Sequence, residues 1–195
     1  MTSAYASGFL TLEEAVHVLY KRTSAVALLA GSGRLLAVGA GLEAIKKLLP
    51  YQSEFEIACI NGPSATVLAG SEDTLLKYKA LMKQNGVPST LIQGDIAFHS
   101  SMVDPAIPVI QKQLAFLDGS RTRTAHLAQF ISTVTGEEEK TMSADYWCHN
   151  LRGTVQLQKA VETVFSDPET SPDLVIEVST NSETIHIIRN THESI

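Results

Sequence analysis

The first strong pattern along the chain is helical. Thr11 and Glu14 form a capping box, in which each side chain accepts a hydrogen bond from the other residue's backbone N–H. Further residues then recur at helical spacing, namely Ala15, Val16, Leu19, Tyr20 and Thr23. The pattern predicts a helix over residues 11–30, with this stripe as its apolar face and with Gly31 and Gly33 at its end.

Residues 35–93 alternate between strand-like and helix-like patterns. They predict, in order, strand 35–38, helix 42–49, strands 54–60 and 66–69 joined by a turn at 61–63, helix 71–86 and strand 90–92. The resulting order, βαββαβ, is typical of a ferredoxin-like unit, a small antiparallel sheet with two helices on one face.

The second half of the chain has longer helical segments and fewer strands. The pattern predicts a helical stretch over 100–117, a strand over 130–134, a polar loop, a helix over 154–166 and a last buried strand over 174–178. After Ser179 the patterning is weak, and we predict no structure there.

Composition and charge narrow the class of protein. The 195 residues are 44% hydrophobic and 18% charged, with a net charge of −6, which is ordinary globular composition and disfavours nucleic acid as a partner. The chain has neither an apolar run of about 18 residues nor a secretion-type start, so we expect no membrane span and a cytoplasmic location. Cys59 and Cys148 lie far apart, which favours packed, reduced thiols over a disulfide or a zinc site.

His99 is the most informative of the six histidines, none of which has the spacing of a helical metal site. It lies where the small sheet ends and helices resume, a position where clefts form, although a packed imidazole is the alternative. Ser100 and Ser101 are too close along the backbone to reach its ring easily, and the chain has no GxSxG motif, so we expect these serines to cap the next helix. From the pattern alone, Arg22 is interpreted as a side chain with a solvated head and His17 as a surface residue.

The string DIAFHS at 95–100 resembles the histidine motif of the acyltransferase domains of polyketide synthases and animal-type fatty acid synthases. Further strings are similar to that family in order and spacing: LEEA at 12–15, LAVG at 36–39, INGP at 60–63, STVTG at 132–136, DYW at 145–147 with NLR at 150–152, and IEV at 176–178. Together they cover residues 4–178. The resemblance implies an α/β fold, a partial hydrolase-like acyltransferase subdomain with an inserted ferredoxin-like βαββαβ subdomain.

The resemblance also implies roles for four residues. His99 matches the histidine that serves as base, and Asn150 is the position carried over as the one whose backbone carbonyl orients it. Arg22 matches the arginine that grips the free carboxylate of a malonyl group. Phe98 corresponds to a phenylalanine that accompanies malonyl selection, since its ring fills the space of an extra methyl. The implied substrate is malonyl-CoA and the implied acceptor is the phosphopantetheine thiol of an acyl carrier protein, with no bound cofactor or metal.

In that family a serine in a GHSxGE motif takes the acyl group, and this sequence contains no such motif. The segment similar to residues 4–8 follows that motif in the family, so we expect the acyl-serine to lie outside this chain and the chain alone to be inactive. We also expect the chain to be poorly soluble or to need a partner, and the implied partner is the remainder of a multidomain synthase. The expected subdomains are 1–32 with 100–178 (hydrolase-like), 33–99 (ferredoxin-like) and a divergent tail, 179–195. Two alternatives stay open: a non-catalytic scaffold that binds carrier protein or synthase partners, and an unrelated small-ligand regulatory domain.

Overall fold

Helices and short strands alternate along the chain. The computed structural model describes residues 1–49, 54–119, 128–169, 171–178 and 183–194. The helices are α1 (Thr2–Ala6), α2 (Leu12–Val26), α3 (Leu42–Leu48), α4 (Glu72–Gln84), α5 (Ile107–Leu114), α6 (Ala144–Arg152), α7 (Leu157–Phe165) and α8 (Glu183–His192). The strands are β1 (Arg34–Val38), β2 (Glu56–Gly62), β3 (Ala65–Gly70), β4 (Ser89–Leu91), β5 (Ile131–Ser132) and β6 (Glu137–Glu138).

Helix α2 begins at the predicted capping box. The Thr11 hydroxyl accepts from the Glu14 N–H at 3.2 Å, and the Glu14 carboxylate accepts from the Thr11 N–H at 3.0 Å. The predicted apolar face was wrong, because Val16, Leu19 and Tyr20 are exposed while Ala15 and Val18 are buried. Apolar side chains occupy two sides of α2, and packing against α1 and α5 selects the side that turns Arg22 inwards.

Strands β1 to β4 form one antiparallel sheet in the order β2-β3-β1-β4. Their order along the chain matches the predicted βαββαβ pattern, including the turn between β2 and β3. Leu36 of β1 lies opposite Leu68 of β3 and Leu91 of β4. On one face of the sheet, these leucines pack against α3 and α4 in a core whose fully buried members are Leu36, Ile45, Leu68, Leu75 and Met82.

The opposite face of the sheet carries small side chains that contact the rest of the protein. Ala58, Val67 and Ala69 meet Ala97 there. Gly33, just before β1, has no room for a side chain, since a Cβ would lie 2.9 Å from the Gly70 carbonyl oxygen, which is fixed in the backbone. The small residues therefore let the segment after β4 approach the sheet closely.

The outer edge of β2 is covered by the residues that follow α6. Val155 forms a parallel bridge with Cys59, in which the Ile60 N–H donates to the Val155 carbonyl at 2.8 Å and the Val155 N–H donates to the Ala58 carbonyl at 2.9 Å. The Thr154 hydroxyl donates to the Ile57 carbonyl at 2.8 Å. Because these bonds satisfy edge groups of β2, the sheet does not end on a bare strand at this side.

The helical stretch predicted over 100–117 consists of a 3-10 turn (Ser101–Ala106), α5 and a second 3-10 turn (Ala115–Leu117). The strand predicted over 130–134 is reduced to β5, which pairs with β6. The loop predicted before residue 154 was wrong in part, because residues 144–152 form α6. The Ser143 hydroxyl caps this helix by accepting from the Tyr146 N–H, and its buried side chains follow helical spacing: Ala144, Trp147, Cys148 and Leu151.

The strand predicted over 174–178 was also wrong. These residues pair with no strand in the described part of the chain, and Leu174, Ile176 and Val178 are exposed. An apolar run without a neighbouring ladder has no partner for its backbone groups, so it does not form a strand. Glu177 instead accepts from the Thr184 and Ile185 N–H groups at the start of α8. This helix corrects the expectation that no element follows Ser179, and it packs on α7 and β2. No described helix combines the length and apolar character that a membrane crossing needs.

Candidate active site

His99 lies between the end of the sheet and the 3-10 turn that precedes α5. Its backbone has a φ of 60°, a left-handed conformation that is uncommon for residues other than glycine and often occurs at functional sites. Two bonds hold it against the end of α6: its N–H donates to the Leu151 carbonyl at 3.1 Å, and its ring Nδ1 lies 3.0 Å from the Gly153 carbonyl oxygen. The residue is therefore fixed through both its backbone and its ring.

The hydrogen bond to Gly153 determines which ring nitrogen of His99 can react. A carbonyl oxygen only accepts, so Nδ1 carries the proton and Nε2 keeps its lone pair. Burial lowers the pKa of His99 below its usual range, the bond to Gly153 opposes this shift, and the positive charge of Arg22 adds to it. The ring is thus neutral at neutral pH and can accept a proton at Nε2.

Arg22 brings a positive charge into the same region. Its guanidinium carbon lies 5.5 Å from the centre of the Trp147 ring, and its buried Nε has no hydrogen-bond partner among the described residues. Burial lowers the pKa of Arg22 from its ordinary value, yet a guanidinium remains charged at neutral pH. The side chain lines a cavity of about 290 Å³ whose wall includes Phe98 and Leu151. This group suits an acidic ligand, since a carboxylate can accept two parallel bonds from two N–H groups of one guanidinium.

The structure brings three of the four predicted site residues together and corrects the role of the fourth. Arg22 and Phe98 share one cavity wall, and Arg22 acts electrostatically on His99. Asn150 was predicted to supply the carbonyl that orients His99, but Gly153 supplies it. Asn150 lies in the last turn of α6 and lines a second cavity of about 520 Å³. Gly153 follows the end of α6, where a carbonyl is free to accept from a neighbouring side chain.

The two serines after His99 are engaged elsewhere. Ser100 caps the following 3-10 turn, as predicted, by accepting from the Met102 N–H at 3.3 Å. The Ser101 N–H donates to Glu56 at the start of β2 at 2.8 Å, and its hydroxyl donates to the same carboxylate oxygen. Sequence reasoning did not identify Glu56, its partner Arg152 or the second partner of Arg152, Asp104, although Arg152 belongs to the NLR string at 150–152.

Neither cysteine is a nucleophile in this site. Both Cys59 and Cys148 are free thiols, and burial raises the pKa of Cys59 to about 11. Burial also raises the pKa of Cys148. Since the thiolate is the reactive form, both side chains are inert at neutral pH.

Known acyltransferase sequences resemble this chain along its whole length. A family model described as the acyl transferase domain matches residues 1–195. A reducing polyketide synthase, DEP5 of Fusarium langsethiae, is 30% identical over 191 residues, which cover 93% of this chain and 8% of that protein. The mycoketide-CoA synthase of Mycobacterium tuberculosis is 34% identical over 164 residues, covering 83% of this chain and 4% of that protein. This chain thus spans less than a tenth of either relative.

Solved structures show the same likeness in three dimensions. The acyltransferase domain from module 8 of the salinomycin polyketide synthase matches with a TM-score of 0.87 and 27% identity, covering 98% of this chain and 44% of that one. The malonyl CoA-acyl carrier protein transacylase of Clostridium perfringens matches with a TM-score of 0.83 and 20% identity, covering 98% of this chain and 61% of that one. At this low identity, the match to the Clostridium perfringens protein shows a shared fold only.

Proposed function

Because the chain belongs to the acyl transferase domain family, we propose that it supplies the base and the carboxylate clamp for transfer of malonyl from coenzyme A to an acyl carrier protein. The observation that carries this proposal is the pair formed by His99 and Arg22. A neutral imidazole held at Nδ1 by Gly153 offers Nε2 as a proton acceptor. The Arg22 guanidinium, whose Nε has no hydrogen-bond partner among the described residues, acts on the imidazole from the neighbouring cavity. Proton acceptance beside a carboxylate-binding cation is the chemistry that malonyl transfer needs.

The proposed reaction has two halves. A hydroxyl oxygen attacks the thioester carbonyl of malonyl-CoA while Nε2 of His99 takes its proton, the C–S bond breaks, and the departing thiolate of coenzyme A takes that proton. The phosphopantetheine thiol of the carrier protein then gives its proton to Nε2 and attacks the acyl ester, and the original hydroxyl oxygen recovers the proton as it leaves. The sequence has no GHSxGE motif, so we propose that this hydroxyl comes from outside these residues.

Arg22 and Phe98 define the proposed choice of acyl group. The Arg22 guanidinium would pair with the free carboxylate of malonyl, which an acetyl group lacks. Phe98 shares the cavity wall with Arg22, and its ring would occupy the space that a methyl branch on the acyl group requires.

The proposed subdomains divide the chain at the ends of the sheet. Residues 33–99 form the ferredoxin-like part, which is supported by the antiparallel order β2-β3-β1-β4 with α3 and α4 packed on it. Residues 1–32 and 100–178 form the hydrolase-like part, which is supported by the likeness to the salinomycin domain. Residues 179–195 form the divergent tail, which contains α8.

The test completes the domain by co-expressing this chain with a polypeptide that carries the GHSxGE segment of a related acyltransferase domain. We expect malonyl transfer to carrier protein in the completed domain and none with His99→Ala. Arg22→Ala should lower malonyl transfer about tenfold to a hundredfold and leave acetyl transfer nearly unchanged, since a bond to a charged group contributes about 1.5–3 kcal/mol. Lys21→Ala, one position away on α2, is the matched control.

Two results would contradict the proposed function. Equal loss of malonyl and acetyl transfer in Arg22→Ala would refute the clamp. Binding of carrier protein by this chain, with no transfer in the completed domain, would favour the scaffold alternative instead.

A further inference from the structure

Arg152, the last residue of α6, lies between the two carbonyl groups that hold His99. The preceding residue, Leu151, accepts from the His99 backbone N–H, and the following residue, Gly153, accepts from the His99 ring. The position of the Arg152 backbone is therefore coupled directly to the position of the imidazole.

The side chain of Arg152 joins two acidic residues from different parts of the fold. Its Nη1 donates to Glu56 at the start of β2 at 3.3 Å, and its Nε donates to Asp104 in the turn after His99. The other oxygen of the Glu56 carboxylate accepts from both the backbone and the hydroxyl of Ser101, two residues beyond His99. We call Glu56, Ser101, Asp104 and Arg152 the clasp.

The clasp does not have the properties of a second catalytic pair. A serine hydroxyl beside a carboxylate resembles a nucleophile with a base, but a useful base has a pKa near the working pH. Although burial raises the pKa of Glu56, bonds from Ser101 and Arg152 outweigh it and hold the pKa below its usual range. The carboxylate is already saturated with donors, so it is a poor proton acceptor for Ser101.

We propose that Arg152 is a positioning residue for His99: by binding Glu56 and Asp104 at once, it holds the end of α6, the segment after His99 and strand β2 in one fixed arrangement. The expected loss of transfer rate when Arg152 is replaced rests on the proposed function. The expected change in the position of the His99 ring does not. The geometry carries this inference because the clasp joins the end of α6, which holds His99, to the 3-10 turn that follows His99 along the chain.

The clasp is partly exposed, so its replacement should change the position of His99 more than it changes the free energy of unfolding. The Arg152 side chain is 37% exposed and its partners are 40% and 55% exposed. Ion pairs at such positions add little to the free energy of unfolding. A misplacement of a catalytic group by about 1 Å, in contrast, can cost about a hundredfold in rate.

The experiment compares Arg152→Gln with Lys159→Gln, a control that removes the partner of Glu137 in another partly exposed ion pair. In the completed domain, Arg152→Gln should lower kcat for malonyl transfer about tenfold to a hundredfold and leave KM for malonyl-CoA nearly unchanged, since Arg22 is not altered. Arg152→Lys should recover only part of this loss, because an ammonium cannot reproduce the forked contacts.

A second measurement follows His99 in this chain without its partner. NMR titration of the imidazole should show its pKa rising towards the ordinary value in Arg152→Gln, as the ring loses its buried position, and no change in Lys159→Gln. An unchanged kcat together with an unchanged titration would overturn the positioning role and leave the proposed function intact. Failure of the unsubstituted completed domain to transfer malonyl would overturn the proposed function, while the titration would still decide whether Arg152 holds the ring.

Discussion

The core beneath the sheet and the outer side of the helical region differ in how completely they are covered. Leu36, Ile45 and Leu68 beneath the sheet are fully buried between the strands and helices α3 and α4. In the helical region, Val18, Ile110 and Leu114 are equally buried, yet Val16 on α2 is 58% exposed and Ile176 is 73% exposed.

This difference separates a well-covered scaffold from a more open, reactive border. Strand pairing builds the sheet, the Ser71 hydroxyl caps α4, and Thr154 and Val155 bond to the β2 edge of the sheet. The unpaired Arg22 Nε and the neutral ring of His99 lie on the helical side or at its junction with the sheet. The reactive groups thus lie in the less covered region, and the end of α6 holds His99 in place beside the sheet. Reactive groups are expected to be held by firm elements in this way.

The largest effect should come from a cavity in the sheet core. Leu68→Ala removes a fully buried side chain, and we expect it to lower the free energy of unfolding by about 3 kcal/mol. Val16→Ala on the exposed side of α2 should change it by less than about 0.5 kcal/mol. Urea unfolding followed by circular dichroism measures both. A loss at Val16 as large as that at Leu68 would break the comparison, since it would mean that the outer side of α2 is covered in solution.

Phe98 lies where the sheet meets the helical region, so it tests how the two regions meet at the site. It lines the Arg22 cavity on one side and a groove beside β4 on the other. Replacing its ring with a small side chain opens space near the acyl group. In the completed domain, Phe98→Ser should shift the ratio of methylmalonyl to malonyl transfer by about tenfold towards methylmalonyl, since a methyl group is worth about 1–3 kcal/mol. Competition between the two thioesters measures the ratio. An unchanged ratio in a folded variant would remove Phe98 from substrate choice.

Helix caps test whether the two regions unfold together. Thr11 caps α2 in the helical region and Ser71 caps α4 beneath the sheet. Loss of a cap costs about 1 kcal/mol, so Thr11→Ala and Ser71→Ala should each lower the free energy of unfolding by about that amount in a single transition. Two separate transitions, each sensitive to only one of the variants, would show that the regions unfold independently.

The smallest effect should be a pH dependence that originates at His99. Its folded-state pKa lies below the ordinary 6.5, so just below that pH the unfolded chain binds a proton that the folded chain does not. The free energy of unfolding should therefore fall as pH drops from about 7.5 to about 5.5, and less steeply in His99→Gln. His17→Gln, on an exposed histidine, is the control. The lowered pKa of Glu56 acts at more acidic pH, since its contribution is lost only below the ordinary 4.5. Equal slopes in all three proteins would contradict the role of His99 burial.

The local signals in the sequence predicted the sheet well and the helical region less well. The caps at Thr11 and Ser71 are short-range features, and both are present. The turn predicted at 61–63 lies at 63 and 64 instead, because β2 continues through Gly62. Helix α6 was missed, although two signals for it are present: a capping serine, Ser143, and apolar side chains at helical spacing, Ala144, Trp147, Cys148 and Leu151. The polar residues between them lower the average hydropathy of the segment, so it resembles a loop. The run 174–178 was misjudged because a strand depends on a partner, which no local pattern specifies.

The site could be predicted only where it depends on side chains. His99, Arg22 and Phe98 were identified through the family resemblance, and the structure brings them together. Gly153 contributes a backbone carbonyl, and every residue has one, so no sequence signal marks it. Arg22 points inwards because of the side of α2 that packs against the rest of the protein. Helix α2 has apolar residues on two sides, so the sequence alone does not determine which of them is buried.

The bridge between Val155 and β2 has a consequence for protein engineering. A chimera that exchanges the sheet by cutting at residues 33 and 99 would follow the chain but not the hydrogen bonds, because residues 154 and 155 remain bonded to β2 from outside that interval. The same short stretch, starting at Leu151, also holds His99. A graft that respects the structure therefore carries residues 151–155 together with 33–99, so the exchangeable cassette is discontinuous in sequence.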